Sequence, residues 1–155
     1  MTLASRKSLY RGWSGLPPGE RALAGRLALL LPLIDLSLRL LGFQRTWGWL
    51  VRFVPASAPN VADPGDFKFA QRAAHIARAV GARSPWRTTC LRQALVLWLL
   101  LRRRGLDAQL KIGVIRREAP FMAHAWVELA GVPLDPEVPA GAVFPPLVPP
   151  ARQAN

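Results

Sequence analysis

Cys90, His124 and Asp135 are the residues of this chain whose types and order could together break an acyl bond. In such chemistry a thiol attacks a carbonyl carbon, while an imidazole takes the thiol proton and returns one to the leaving amine. A carboxylate holds that imidazole in the useful tautomer and stabilises its cation. Cys90 is the only cysteine, so it has no intrachain disulfide partner. The chemistry needs the sulfur at an accessible point, and the imidazole and carboxylate on one face of a neighbouring element.

The element that must present the sulfur is the run from Ser84 to Arg104, SPWRTTCLRQALVLWLLLRRR. Between Cys90 and Leu101 only Arg92 and Gln93 are polar, so the run predicts a helix apolar on nearly every side, lying inside a domain. Pro85 disfavours helical geometry at Ser84, and Thr88 or Thr89 can cap, which starts the helix within a residue of Cys90. An unpaired N-terminal turn carries partial positive charge, favours thiolate over thiol, and makes the Cys90 backbone amide a natural oxyanion donor. The second donor is sought between Trp86 and Thr89. A free cysteine on an apolar helix otherwise fills space, and only its company downstream argues against that reading.

That company lies where the hydrophobic period changes. Past the basic stop Arg102 to Gly105, residues Ala108 to Ile115 alternate as a strand, Phe121 to Leu129 form a second, and Val132 to Asp135 a short third. In the second strand Met122, His124, Trp126 and Glu128 share one face, and Ala123, Ala125, Val127 and Leu129 the other. A two-residue loop at Ala130 and Gly131 would set Leu129 opposite Val132 and Trp126 opposite Asp135. Asp135 then falls on the His124 face as its diagonal neighbour, about 7 to 8 Å away at the backbone and within hydrogen-bonding reach. A three-residue loop would shift that register, and alanine is a poor first residue for the usual two-residue turns.

At 155 residues the chain makes one domain with a real core, and with 51 % hydrophobic residues against 19 % charged it is not disordered, despite 15 prolines. No secretory signal is visible, so a cytoplasmic location is expected. Lysine and arginine total 21 against 9 acids, a formal charge of +12 that would attract nucleic acid, anionic lipid or an acidic peptide. Residues 1 to 19 form a basic irregular segment. Glu20 to Leu41 reads as helical with a break near Pro32. Its longest uncharged stretch, Leu27 to Ile34, is far below the roughly 20 residues that span a bilayer. The first reading of this segment is a helical pair packed on the domain. The second is a membrane-surface helix, since Arg21, Arg26, Arg39 and Arg45 flank apolar residues and Trp47 and Trp49 suit an interface.

Ala56 to Gly65 is a loop by composition, and Asp66 is placed to cap a helix whose apolar positions are Phe69, Ala73, Ile76, Ala77 and Val80, ending at Gly81. His75 lies off that stripe as an exposed or rim histidine. One cysteine and two histidines make a zinc site improbable. The tail from residue 137 is rich in proline and alanine, a structural strap or a mobile end, with PPLVPP as a conceivable polyproline ligand.

A helix-borne Cys followed by His and Asp on consecutive strands is the order of papain-like and transglutaminase-like cores. The run SPWRTTCLRQALVLWLLLRRRGLDAQLKIGV, with FMAHAWVELAGVPLD after it, resembles the transglutaminase-like peptidases of lasso peptide biosynthesis, the B2 proteins. The resemblance rests on Pro85-Trp86, Cys90-Leu91, the RRRGL helix end, the KIGV and AHAWVE strands and Asp135. It implies cysteine-peptidase removal of a leader from a ribosomally made precursor, delivered by a separate B1 leader-recognition protein. A distinct ATP-dependent cyclase then uses the freed amine. It carries the catalytic roles onto Cys90, His124 and Asp135; the expected chemistry takes no cofactor.

The expected architecture is therefore α+β. Residues 1–60 give a basic segment and apolar helices packed on the core. Residues 61–136 give a transglutaminase-like core with a central Cys-bearing helix on a small antiparallel sheet, and residues 137–155 the tail. Two alternatives stand beside the peptidase: a basic nucleic-acid-binding module, which no recognised motif accompanies, and a non-catalytic scaffold of a maturation complex.

Overall fold

The structure, a computed structural model, describes residues 17–54, 63–83, 89–115, 122–136 and 138. Among the described residues three helices precede three strands: α1 (Pro18–Arg52), α2 (Pro64–Arg83), α3 (Cys90–Arg103), β1 (Ala108–Ile115), β2 (Met122–Leu129) and β3 (Val132–Pro133). The strands form one antiparallel sheet in the order β1-β2-β3. The protein is α+β, as expected.

The apolar circumference of α3 makes it the centre. Ala94, Leu95, Val96, Leu97, Trp98, Leu99 and Leu101 are all buried, and α3 packs on α1, α2, β1 and β2. Full burial of one such leucine contributes roughly 1.5–3 kcal/mol. The helix stops where Gly105 takes a φ of 88°, its N–H donating to the Arg102 carbonyl at 2.9 Å and the Leu106 N–H to that of Leu101 at 3.1 Å. These two bonds satisfy carbonyls that a helix end leaves open. Arg102 is engaged by Asp107, and Arg104 lies 4.0 Å over the Phe69 ring, so two of the three basic residues here serve the fold itself.

In the sheet, Ala108 stands opposite Leu129, Leu110 opposite Val127, and Ile112 opposite Ala125. These six form or abut the core shared with the helices. The β2–β3 turn has φ of 49° at Ala130 and 76° at Gly131, the pair of positive values a type I′ hairpin needs. Alanine is accepted there, and Leu129 meets Val132 in the expected register. The third strand is shorter than expected because Pro133 offers no N–H, though Leu134 keeps the register by donating to the Val127 carbonyl at 2.9 Å.

The break expected at Pro32 lies at Gly42 instead. Pro32 sits inside α1 with its side exposed, where water can meet the carbonyl it leaves unbonded. Gly42, at φ 72° and ψ 174°, lies in a region essentially closed to residues with a Cβ. No atom lies within 4 Å of a Cβ built there, so a substitution meets only the backbone penalty. Gly42→Ala should cost about 2 kcal/mol, read as a lower urea midpoint with an unchanged m-value.

α2 starts earlier and ends later than expected. Its N-cap is Asp63, whose Oδ1 accepts the Asp66 N–H at 2.7 Å while Asp66 reaches back to the Asp63 N–H at 3.4 Å, so Asp66 completes the cap from inside the first turn. Gly81 does not stop the helix, which runs to Arg83. A Cβ at Gly81 would come within 2.4 Å of the Gln93 amide nitrogen, so this glycine lets α2 approach α3. His75 is exposed, as expected. Arg72 grips Glu20 with bonds of 2.6 and 2.9 Å, joining α2 to the first turn of α1. The hydrogen bonds and charge of Glu20 hold that guanidinium still further above its ordinary range.

Candidate functional site

Cys90 is the first residue of α3, as the proline and threonines before it predict. Thr89 is the N-cap residue, with extended φ −78° and ψ 158°, but its hydroxyl makes no capping bond, contrary to expectation. Thr88, and most of the segment searched for a second oxyanion donor, lie outside the described residues. The Gln93 N–H is the one that returns to the Thr89 carbonyl, at 3.3 Å. The amides of the first turn before it lack acceptors within the helix, as at any N-terminus. Cys90 is half-buried, one side against the core and the other on a cavity, so the sulfur is not sealed in hydrocarbon.

The helix start is anchored from α1. Arg92, two residues past the cysteine, places its Nη2 2.7 Å from an oxygen of Asp35, and Arg39 binds the same carboxylate at 3.0 Å. Asp35 is buried. A charge in that position is sustained by its two guanidinium partners, and in return it fixes how the first turn of α3 sits on α1.

His124 and Asp135 meet directly, with Nε2 2.9 Å from Oδ2 and both side chains mostly buried. The contact is the diagonal one that the hairpin register requires. It occupies Nε2 and leaves Nδ1 as the ring nitrogen able to serve a reacting group. The imidazole lies nearly parallel to the Trp126 indole, centroids 6.2 Å apart. Trp126 Nε1 donates to Glu128 at 2.9 Å, and Lys111 lies 3.8 Å from the same carboxylate. Asp135 is held along the backbone: the Leu134 carbonyl accepts from Arg78 at 3.3 Å, and the Asp135 carbonyl from the Val138 N–H at 3.2 Å.

Cys90, His124 and Asp135 all border one cavity of about 420 Å³. Its walls include residues from both faces of β2, and it is apolar at Ala74, Ala77, Ala94, Leu97, Val127 and Leu134. β3 pairs only with the turn end of β2, so the His124 end of that strand has no ladder partner on this side among the described residues. No hydrogen bond joins Cys90 to His124 among the described residues; they face a common space. Arg78 and Gln93 are polar residues on its wall that the sequence reading did not single out. Gln93 had a signal, being one of two polar positions on an apolar helix, one turn from the cysteine. Arg78 had none, since it looks like any other charged helix residue.

No cluster of three or more His, Cys, Asp or Glu among the described residues is placed to hold a metal ion. The fold and cavity define an α+β protein with an accessible thiol at a helix start and a His–Asp pair on the adjoining sheet. The profile of the transglutaminase-like superfamily matches residues 30–148, most of the chain, and the protein belongs to that superfamily. Its members are in general cysteine peptidases and transglutaminases. No curated protein and no solved structure matches the chain.

Proposed function

We propose that the chain is a cysteine peptidase that removes the leader from a ribosomally synthesised lasso peptide precursor. The observation that carries this reading is the His124–Asp135 hydrogen bond on the cavity that Cys90 borders. Membership of the transglutaminase-like superfamily supports the reaction class, and the sequence resemblance to B2 proteins supplies the substrate. Cys90 attacks the carbonyl carbon at the leader–core junction, its proton passes to His124, and the Cys90 amide stabilises the oxyanion. Collapse expels the core amine with a proton from His124. Water, activated by the same imidazole, then releases the leader. The work is assigned to the cytoplasm, with a B1 protein delivering the leader and an ATP-dependent cyclase taking up the freed amine.

Asp135→Asn keeps the shape but favours the wrong imidazole tautomer. It should retain roughly 10- to 100-fold more activity than loss of the nucleophile does, since an orienting group contributes less; initial rates of leader release check this. The reading itself is tested by incubating the chain with a short candidate precursor and a B1-type recognition protein and weighing the products. Masses of free leader and free core support it. Intact precursor in the presence of the recognition protein sinks the leader assignment.

A further inference from the structure

Among the described residues, most of the large apolar side chains that stand exposed are on or beside α1. Leu29, Leu33, Leu36 and Leu40 are 70, 60, 53 and 72 % exposed. Their spacing of four, three and four residues gathers them within about 60° on a helix that turns about 100° per residue. The same geometry puts Arg26 along one flank of this stripe and Arg39 along the other. Past Gly42, Trp49 and Phe53 are also exposed. There Arg45, Arg52 and Trp49 line a recess of about 350 Å³.

The charge on this face has one sign. The acids of α1 are Glu20, held by Arg72, and Asp35, buried against Arg39 and Arg92. No ion pair occupies Arg26, Arg45 or Arg52 among the described residues. Exposed leucines, aromatic residues able to sit at headgroup level and unpaired arginines are the composition of a helix that lies in a lipid interface.

By length and composition α1 is also long and apolar enough to cross a membrane, which a count of uncharged residues alone did not anticipate. Its other face argues for lying on the surface instead. Leu23, Ala24, Leu27, Leu31 and Ile34 belong to the core, and crossing would tear Asp35 from Arg92.

We propose that α1 docks the protein in the plane of an anionic lipid surface. The leucine stripe, Trp49 and Phe53 enter the boundary between headgroups and acyl chains, and Arg45 and Arg52 hold a lipid phosphate between them. The proposal stands independently of the peptidase reading, since none of these residues borders the Cys90 cavity.

The test is flotation of the full chain, at low salt, with phosphatidylcholine vesicles and with the same vesicles containing phosphatidylglycerol. The wild type should float with the anionic vesicles. The doubly substituted Arg45→Gln, Arg52→Gln chain should bind them roughly thirtyfold more weakly. Leu33→Glu with Leu40→Glu should abolish flotation while the circular dichroism spectrum and the thermal midpoint stay unchanged. A wild type that stays in the soluble fraction with anionic vesicles overturns the proposal. So does resistance of the bound protein to alkaline carbonate, which would mean a spanning helix. Salt-sensitive DNA binding lost in the arginine variant but kept in the leucine variant, without flotation, assigns the face to nucleic acid instead.

Discussion

Cys90→Ala is expected to lower leader release by roughly 10⁴- to 10⁶-fold, to the limit of detection, and His124→Ala by a similar factor. Groups that act as a unit lose nearly everything when either the nucleophile or its base is removed. The variants should stay folded. Cys90 is half-buried at a helix start, so losing one sulfur opens a side of the existing cavity and no void in the core. His124→Ala frees Asp135 from one partner, but that carboxylate borders the cavity, and the space the imidazole leaves there can take water. Product masses followed over time, with circular dichroism beside them, decide the matter. Substantial turnover by either variant would refute the assignment of those roles. Covalent labelling of wild-type Cys90 by an electrophilic peptide, absent in His124→Ala, would argue against a purely scaffolding protein.

The second large effect is on stability, and it comes from Asp35. Asp35→Ala removes the carboxylate between Arg39 and Arg92. Arg39 is largely exposed and can turn to water, but the Arg92 side chain is only 18 % exposed, so its charge loses a partner where solvent reaches it poorly. Breaking a buried pair from one side costs about 3 kcal/mol, a large share of the roughly 5–15 kcal/mol that holds a domain together. Urea denaturation should register it as a lower midpoint. Arg92 is two residues from Cys90, so the variant should also slow leader release at temperatures where it remains folded. Replacing both ends by apolar residues, Asp35→Leu with Arg92→Met, should recover part of the loss, because no buried charge is then left behind. A single variant as stable as wild type would show that α1 does not anchor the start of α3 through this pair.

Local pattern sufficed for much of the architecture. An uninterrupted apolar run from Ala94 to Leu101 can be satisfied only by burial on all sides, so the central helix follows from composition. Alternation in β1 and β2 separates the faces, and the spacing from Leu129 to Val132 allows the hairpin register that brings Asp135 to His124, which the fold adopts by accepting a positive φ at Ala130. The bounds of helices were less legible, because competing signals were close together. Both Asp63 and Asp66 look like caps, and geometry made them partners. Pro32 and Gly42 both look like breaks, and the glycine broke the helix because its positive φ lies where other residues cannot go.

Placement across long sequence distances belonged to the tertiary structure. Asp35 reads as an interruption of an apolar helix until α3 brings Arg92 against it. Gly81 reads as a stop until Gln93 is found where its Cβ would be. The cavity that joins Cys90 to the His–Asp pair is built from α2, α3 and β2, elements whose mutual packing no short-range periodicity encodes. The sequence by itself determined most of the helix and strand segments and which faces are apolar, since those depend on neighbours a few residues away, but not the turns of α1 between Leu41 and Arg52. Which charge is paired, which glycine is a contact and which leucines of α1 remain in water depend on what lies across the interface, and only the assembled fold decides that.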